Sequence, residues 1–192
     1  MKQDIILAGV GGQGILSIAY VIDNAALADG LSFKQAEVHG MAQRGGAVQS
    51  HMRLSKGAIW SDLIPKGEAD MVLSVEPLEA LRYLDYLRPD GIVVTSSTPF
   101  RNIPDYPEVE AVLAAVRKAP RSVVVDAEKL AKEAGTVKAQ NIVLLGAAAP
   151  SLILAEASLL RTIEDLFRGR GPTVLDANIK AFALGKRAAL GQ

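Results

Sequence analysis

The chain has 192 residues, and its 21 basic and 21 acidic side chains leave a formal net charge of zero. This balance supplies no basic field for binding nucleic acid. No apolar run reaches the roughly 20 residues that a membrane-spanning helix needs, and no secretory leader is evident, so we expect a cytoplasmic protein. The chain has no cysteine and two histidines, which excludes disulfides and cysteine-held iron–sulfur clusters and disfavours a catalytic zinc site.

The composition favours one α/β domain. Apolar residues make up 49% of the chain and aromatic residues only 5%, so the apolar character comes from alanine, valine, leucine and isoleucine. Such a composition is typical of a buried parallel sheet covered by helices, and it also suits a subunit that hides surface against partners. No linker divides the sequence, so we expect a single domain over residues 1–192.

Strands and helices are predicted to alternate through the first two thirds of the chain. An apolar run typical of a buried strand comes first, and apolar residues at helical spacing follow until Gly30 ends the helix. The predicted strands cover 4–9, 33–38, 47–54, 71–75, 92–94 and 122–125. The predicted helices cover 14–29, 77–87, 108–118 and 127–134, with a turn at 89–91 and a proline-rich loop over 99–107.

From residue 139 onward the pattern is helical. Three helices are expected, over 140–148, 156–168 and 174–188, separated by Pro150 and by the glycine-rich stretch 169–172. Strands that alternate with helices predict a three-layer α/β/α, Rossmann-like fold with a mainly parallel sheet, and here with a helical C-terminal third.

Residues 9–14 form a GxGxxG pattern between the first strand and the first helix. Such a turn aims backbone N–H groups and the positive end of a helix dipole at one point, where an anion or the edge of a partner can be held. Glu37 follows Gly14 by 23 residues, a spacing that suits the ribose-binding acid of a dinucleotide site. Glycines serve a tight turn equally well when nothing binds, so both interpretations stay open.

A second polar segment, 37–46, is rich in glycine and is not needed by a dinucleotide-binding domain. Its polar side chains are His39, Gln43 and Arg44, and its glycines are Gly40, Gly45 and Gly46. The planar fork of Arg44 can clamp a phosphate or carboxylate, or it is simply solvated in a connecting loop. Because both loops leave the carboxyl ends of neighbouring strands, we expect them to converge, with the polar face of the next strand (Gln49, His51 and Arg53) beside them.

Other polar residues give weaker signals. Ser74, Glu76 and residues 96–98 lie at strand ends on the same side, where Glu76 suits the N-terminus of a helix better than the role of a base. Asn141 is expected to fix a helix start, and 168–171 to form a solvated loop rather than a phosphate contact. No serine lies in a nucleophile elbow, so a catalytic triad is not supported.

The two motifs together carry a family resemblance. Residues 9–15, 37–46, 50–51 and 74–84 resemble the gamma domain of 2-oxoacid:ferredoxin oxidoreductases, and within that family the beta-subunit type of indolepyruvate:ferredoxin oxidoreductases. The resemblance extends over nearly the whole chain, including 126–127, 141–147 and the C-terminal helices. It implies a subunit of a complex that converts a 2-oxoacid and coenzyme A to acyl-CoA and CO2, with electrons passed to ferredoxin.

The resemblance also implies where the cofactors lie. The thiamine sites of this family use a Gly-Asp-Gly element, which this chain lacks, so thiamine diphosphate and the iron–sulfur clusters are expected on a larger partner subunit. No cofactor is expected on this chain alone, and coenzyme A is a cosubstrate. The resemblance places His39, Gln43 and Arg44 at the catalytic interface, and the implied cofactor-binding residues are Gly11, Gly12, Gln13, Gly14, Gly45 and Gly46.

Two alternatives stay open at this point. A free-standing NAD(P)-binding Rossmann-type oxidoreductase explains residues 9–14 and Glu37 but leaves the segment 37–46 unused. A non-catalytic structural subunit with a degenerate nucleotide-like turn predicts that substituting His39 or Arg44 leaves the complex active. Titration of the isolated chain with NAD separates the first alternative from the subunit interpretation.

Overall fold

A computed structural model describes residues 1–39, 45–101 and 103–191, and residue 39 by its backbone alone. The strands are β1 (Lys2–Val10), β2 (Ser32–His39), β3 (Ala47–Ser55), β4 (Ala69–Ser74), β5 (Leu87–Ser96) and β6 (Arg121–Val125). The helices are α1 (Ile15–Ala28), α2 (Pro77–Arg82), α3 (Val109–Val116), α4 (Ala127–Ala134), α5 (Gln140–Ala148), α6 (Glu156–Phe167) and α7 (Pro172–Ala189). The expected alternation and the helical final third are confirmed.

The six strands form one sheet in the order β2-β3-β1-β4-β5-β6. Strands β1, β4, β5 and β6 pair in parallel, whereas β3 runs antiparallel to both β1 and β2. The mainly parallel sheet is therefore confirmed, with one reversed strand. Because β3 lies between β1 and β2, these two are not neighbours as the sequence suggested. They run in the same direction, however, so their carboxyl ends still reach the same edge of the sheet.

Helices cover both faces of the sheet. Ile5 and Leu7 of β1 join the larger core cluster with residues of α1, α4, α5, α6 and α7. Ile6 points the other way and joins a smaller cluster that includes Ala80 of α2 and Val116 of α3. Alternate residues of one buried strand thus serve two helical layers, as the continuous apolar run predicted. Among the residues described, no helix is both long enough and apolar enough to cross a membrane.

The segment between α2 and β5 differs from the sequence-based expectation. Helix α2 ends at Arg82, and a short 3-10 turn precedes β5, where a helix to residue 87 was expected. The turn expected at 89–91 lies within β5, opposite a shift of register in β4 between Ala69 and Met71. Arg88 forms ion pairs there with Asp70 and Asp90, and Asp70 is too distant in sequence for any local pattern to reveal.

Helices α5 and α7 approach each other closely at two glycines. A Cβ atom on Gly146 would lie 2.1 Å from the carbonyl oxygen of Phe182, and one on Gly185 would lie 1.9 Å from that of Val143. Any side chain at either position therefore forces the two backbones apart, so both glycines are required by the crossing.

Asp23 is a carboxylic acid in the buried face of α1. It is 7% exposed, and its Oδ1 has no hydrogen-bond partner among the described residues. Burial raises the pKa of Asp23 to about 7. Since an unfolded aspartate has a pKa of about 3.9, the folded chain binds this proton more tightly than the unfolded chain does. The stabilisation that the bound proton of Asp23 gives the folded chain is therefore fully present below about pH 4, and it is lost as the pH rises through about 7.

We expect the Asp23→Asn variant to be more stable than the parent at about pH 8, by about 1–3 kcal/mol, because the neutral amide avoids a buried charge. The advantage should shrink toward about pH 5, where Asp23 is already protonated. Denaturant unfolding at several pH values measures the gain in stability and its dependence on pH. Asp176→Asn, at an exposed position of α7, is the control. An advantage that is the same at every pH would contradict a titrating Asp23.

Candidate functional site

A cleft of about 640 Å³ lies at the carboxyl edge of the sheet. This is the edge at which open α/β sheets bind ligands, and the volume is typical of a small-molecule site. Its walls come from the β1–α1 turn, the segment after β5, the α4–α5 connection and the start of α7. The main lining residues are Gly12, Gln13, Gly14, Thr98, Pro99, Phe100, Val137, Lys138, Asn141, Arg170, Val174 and Asn178.

Gln13 closes the β1–α1 turn on itself. Its side-chain oxygen accepts a hydrogen bond from the Val10 backbone N–H at 2.8 Å, and its own N–H donates to the Val10 carbonyl at 3.1 Å. The side chain thus stabilises the turn, although the residue also lines the cleft. Its amide oxygen is engaged within the turn, which leaves its NH2 group as the donor for a ligand.

The glycines of this turn have different structural roles. Gly14 has φ +80°, and a Cβ atom there would lie 2.6 Å from Nδ2 of Asn141. That amide donates to the Gly14 carbonyl at 3.1 Å, so Asn141, near the start of α5, fixes the start of α1. Gly12 has φ +99° and no atom within 4 Å of a Cβ placed on it. Backbone conformation explains glycine at both positions, and Gly12 additionally has open space beside it at the cleft.

The cleft offers positive groups to a ligand that carries negative charge, and the acid in its described lining, Glu128, is paired with Lys132. None of the described side chains caps α1, and no acidic residue lies in its first turn. The positive end of the helix dipole therefore faces the cleft where Gly14 and Ser17 line it. The exposed cation Lys138 lies on another wall. Arg170 also lines the cleft, with its guanidinium carbon 5.5 Å from the ring centroid of Phe167.

Arg170 was expected in a solvated loop. Residues Arg168–Arg170 instead form a short 3-10 helix before α7. Arg168 pairs with Asp165 on the surface, whereas Arg170 reaches the wall of the cleft. The sequence could not separate the two arginines, because which of them lines the cleft depends on residues from distant parts of the chain.

The second loop meets the first through the backbone. The N–H of Gly11 donates to the carbonyl of Gly46 at 2.8 Å, and the N–H of Gly45 donates to the carbonyl of Gly11 at 3.3 Å. The expected convergence of the two loops is therefore confirmed. Residues 40–44, with the predicted interface residues Gln43 and Arg44, lie outside the described residues, as does the side chain of His39.

The polar face of β3 does not serve the cleft as expected. His51 is 4% exposed, and its Nδ1 accepts a hydrogen bond from the Ile64 N–H at 3.0 Å. Burial and the nearby Arg53 lower the pKa of His51, in keeping with a neutral ring that accepts. Arg53 forms two hydrogen bonds with Asp4 and donates to the carbonyls of Ser61 and Leu63.

These contacts hold the segment 56–68 against the sheet. The segment carries Trp60, the single tryptophan of the chain, which is 92% exposed. The alternating pattern predicted the correct strand but could not show that a later segment folds over its polar face. The prediction that His51 and Arg53 lie at the site is therefore wrong.

Glu76 has a wider role than the expected helix N-terminal charge. That expectation is confirmed, since its Oε2 accepts from the Glu79 N–H at 2.8 Å and caps α2. Its Oε1 also accepts from the Phe100 N–H at 3.3 Å and from the Tyr106 hydroxyl. No sequence signal indicated these partners, which follow Glu76 by 24 and 30 residues.

Comparison with known proteins shows relatives along the whole chain. Residues 4–188 match the family model described as pyruvate ferredoxin/flavodoxin oxidoreductase. The chain is 38% identical to the indolepyruvate oxidoreductase subunit IorB of Thermococcus kodakarensis, over 98% of this chain and 97% of that protein. It is 34% identical to the subunit of the same name from Archaeoglobus fulgidus, over 99% of this chain and 96% of that protein.

Solved structures share the fold. The gamma subunit of a keto/oxoacid ferredoxin oxidoreductase from Geobacter sulfurreducens gives a TM-score of 0.74 at 22% identity, over 99% of both chains. A 2-oxoglutarate:ferredoxin oxidoreductase from Magnetococcus marinus, with 2-oxoglutarate, coenzyme A and succinyl-CoA bound, gives a TM-score of 0.79 at 22% identity, over 100% of this chain and 31% of that one. By its sequence match over residues 4–188, this chain belongs to the pyruvate ferredoxin/flavodoxin oxidoreductase family.

Proposed function

We propose that this chain is a subunit of a 2-oxoacid:ferredoxin oxidoreductase of the indolepyruvate type. Four archaeal relatives named as indolepyruvate oxidoreductase subunits, 34–38% identical over nearly the full length of both chains, carry the proposal. The complex decarboxylates an aryl 2-oxoacid oxidatively, transfers the acyl group to coenzyme A, releases CO2 and passes the electrons to ferredoxin. Residues 1–192 act as one domain, and the complex is cytoplasmic.

The larger subunit of this complex supplies the cofactors. This chain has no cysteine to hold an iron–sulfur cluster and no Gly-Asp-Gly element of a thiamine site. Thiamine diphosphate on the partner supplies the decarboxylation chemistry, and clusters on the partner supply the electron path. Relatives from other branches of the family are also named as subunits, of a 2-oxoglutarate synthase and of a ketoisovalerate oxidoreductase.

We further propose that the cleft holds part of coenzyme A. Its phosphates need positive groups, which the open end of α1, Lys138 and Arg170 provide on different walls. The pantetheine arm needs apolar surface, which the exposed side chains of Phe100 and Val137 provide at the rim. Gly45 and Gly46 support the turn through Gly11, while His39, Gln43 and Arg44 stay the proposed contacts with the partner.

Reconstitution tests the proposed function. The chain is co-expressed with the larger subunit under anaerobic conditions, and reduction of ferredoxin is followed with indolepyruvate, pyruvate or 2-oxoglutarate. We expect reduction that requires coenzyme A, with kcat/KM highest for the aryl substrate. The proposal would be refuted if the chain purified without the larger subunit or if ferredoxin reduction did not depend on a 2-oxoacid. Tight binding of NAD to the isolated chain would also refute it.

A leucine at Gly12 is expected to weaken coenzyme A binding in the complex. The new side chain would fill the cleft mouth, so we expect the KM for coenzyme A to rise at least about tenfold. Gly67→Leu is the matched control, because Gly67 also has a positive φ, +79° against +99°, and open space around it. The two variants share a backbone strain of about 1–3 kcal/mol, but only Gly12 lines the cleft. An equal KM for coenzyme A in both variants would show that the turn is not part of the binding site.

A further inference from the structure

We propose that Glu76 is a positioning residue that sets the cleft wall formed by Thr98, Pro99 and Phe100. Only the identity of the ligand that this wall contacts rests on the proposed function. The three wall residues follow β5 and line the cleft directly. Glu76 is not among the lining residues, so its effect on a ligand passes through the wall.

Glu76 is buried at a junction of three segments. It is 1% exposed, and its carboxylate accepts hydrogen bonds from three donors. One carboxylate oxygen accepts from the N–H of Glu79 at the start of α2, and the other accepts from the N–H of Phe100 and the hydroxyl of Tyr106. The carboxylate thereby ties the segment after β5 to the carboxyl end of β4.

Only an ionised carboxylate satisfies these three donors at once. It is acceptor-only on both oxygens, whereas the amide of glutamine would turn an N–H group toward one of the donors. Burial, together with the bond from Tyr106 to this carboxylate, raises the pKa of Tyr106, so the hydroxyl keeps the proton that it donates.

The wall is thereby fixed at both ends. Its first residue, Thr98, donates its N–H to the hydroxyl oxygen of Ser96 at 3.0 Å. Its last residue, Phe100, is held by Glu76, yet its side chain stays 44% exposed at the rim. Loss of the Glu76 contacts frees only this second end. Phe100 would then move relative to the turn at Gly12 without any change in the partner's cofactor chemistry.

Two variants of the complex test this role. Tyr106→Phe removes one donor at a partly buried position and keeps the ring, and Glu76→Gln removes the acceptor pattern. Tyr20→Phe, at an exposed position of α1, is the matched control. We expect the KM for coenzyme A to rise about tenfold in both test variants, while kcat and the KM for the 2-oxoacid stay within about twofold.

Tryptic cleavage after Arg101 provides a readout that needs no ligand. Arg101 is exposed, directly follows the wall, and lies with its guanidinium carbon 6.0 Å from the ring centroid of Tyr106. If Glu76 and Tyr106 hold this segment, cleavage there should accelerate severalfold in both variants, because proteolysis follows local opening. Other tryptic sites should be cut at the parental rate.

The two readouts separate the possible failures. Faster cleavage with a raised KM for coenzyme A supports the proposal. Unchanged cleavage overturns it, whatever the kinetics. Faster cleavage with an unchanged KM refutes the role of the wall in ligand binding and the placement of coenzyme A in the cleft. It leaves the assignment of the subunit to its complex intact, since that assignment is judged by reconstitution.

Discussion

Gly185→Ala is expected to destabilise the chain by about 3 kcal/mol, because overpacking against a backbone cannot be relieved by a side-chain rotation. Its Cβ would lie 1.9 Å from the Val143 carbonyl oxygen and 3.1 Å from the Ala147 N–H nitrogen, both in the backbone of α5. The two helices would have to separate across a core that the sheet also shares. Since Asn141 of α5 fixes the start of α1, separation would also disturb the cleft.

Denaturant unfolding of the purified chain measures this loss. Gly169→Ala is the control, because a Cβ atom on Gly169 has no neighbour within 4 Å. We expect the control to lie within about 0.5 kcal/mol of the parent. If the two alanine variants proved equally stable, the close crossing of α5 and α7 would be incorrect.

Arg53→Ala is expected to cost about 3 kcal/mol, because it leaves the buried Asp4 carboxylate without its main partner. The side chain of Asp4 is 1% exposed and that of Arg53 is 13% exposed. Their two hydrogen bonds measure 2.9 and 3.0 Å. Lys2 also pairs with Asp4, so part of the charge stays compensated in the variant. The change also removes the donors that hold Ser61 and Leu63.

Arg88→Ala is the matched control for this prediction. Arg88 also pairs with two aspartates, but its side chain is 44% exposed, so water screens both pairs and we expect a much smaller loss of stability. Thermal or denaturant unfolding compares the two variants. A similar loss of unfolding free energy in both variants would mean that burial of the Asp4–Arg53 pair does not contribute to stability. Hydrogen exchange in the segment 56–68 should rise in Arg53→Ala alone.

Local patterns in the sequence predicted most of the fold. The apolar run of β1 and the helical spacing of α1 are short-range signals, and they place both elements within a few residues. The order of the strands is a long-range property, so the insertion of β3 between β1 and β2 could not be predicted. The convergence of the two glycine-rich loops was predicted because it depends only on strand direction, which the insertion of β3 does not change.

The candidate site could be predicted from the sequence only where its residues belong to a single local motif. The glycine pattern located the turn, but the role of Gly14 depends on Asn141, which is 127 residues away in sequence. His51 was misplaced because alternation identifies a face without showing what covers it. Glu76 lies within a recognisable motif, but its link to Tyr106 spans 30 residues and has no spacing signature.

The exposure of Trp60 decides which spectroscopic measurements are informative. As the only tryptophan, at 92% exposure, it gives the folded chain an indole emission close to that of the unfolded chain. Fluorescence is therefore a poor monitor of unfolding here, and circular dichroism is the better signal for the stability comparisons above. The same property makes Trp60 an intrinsic label, because any subunit that covers the segment 56–68 would shift its emission to shorter wavelength.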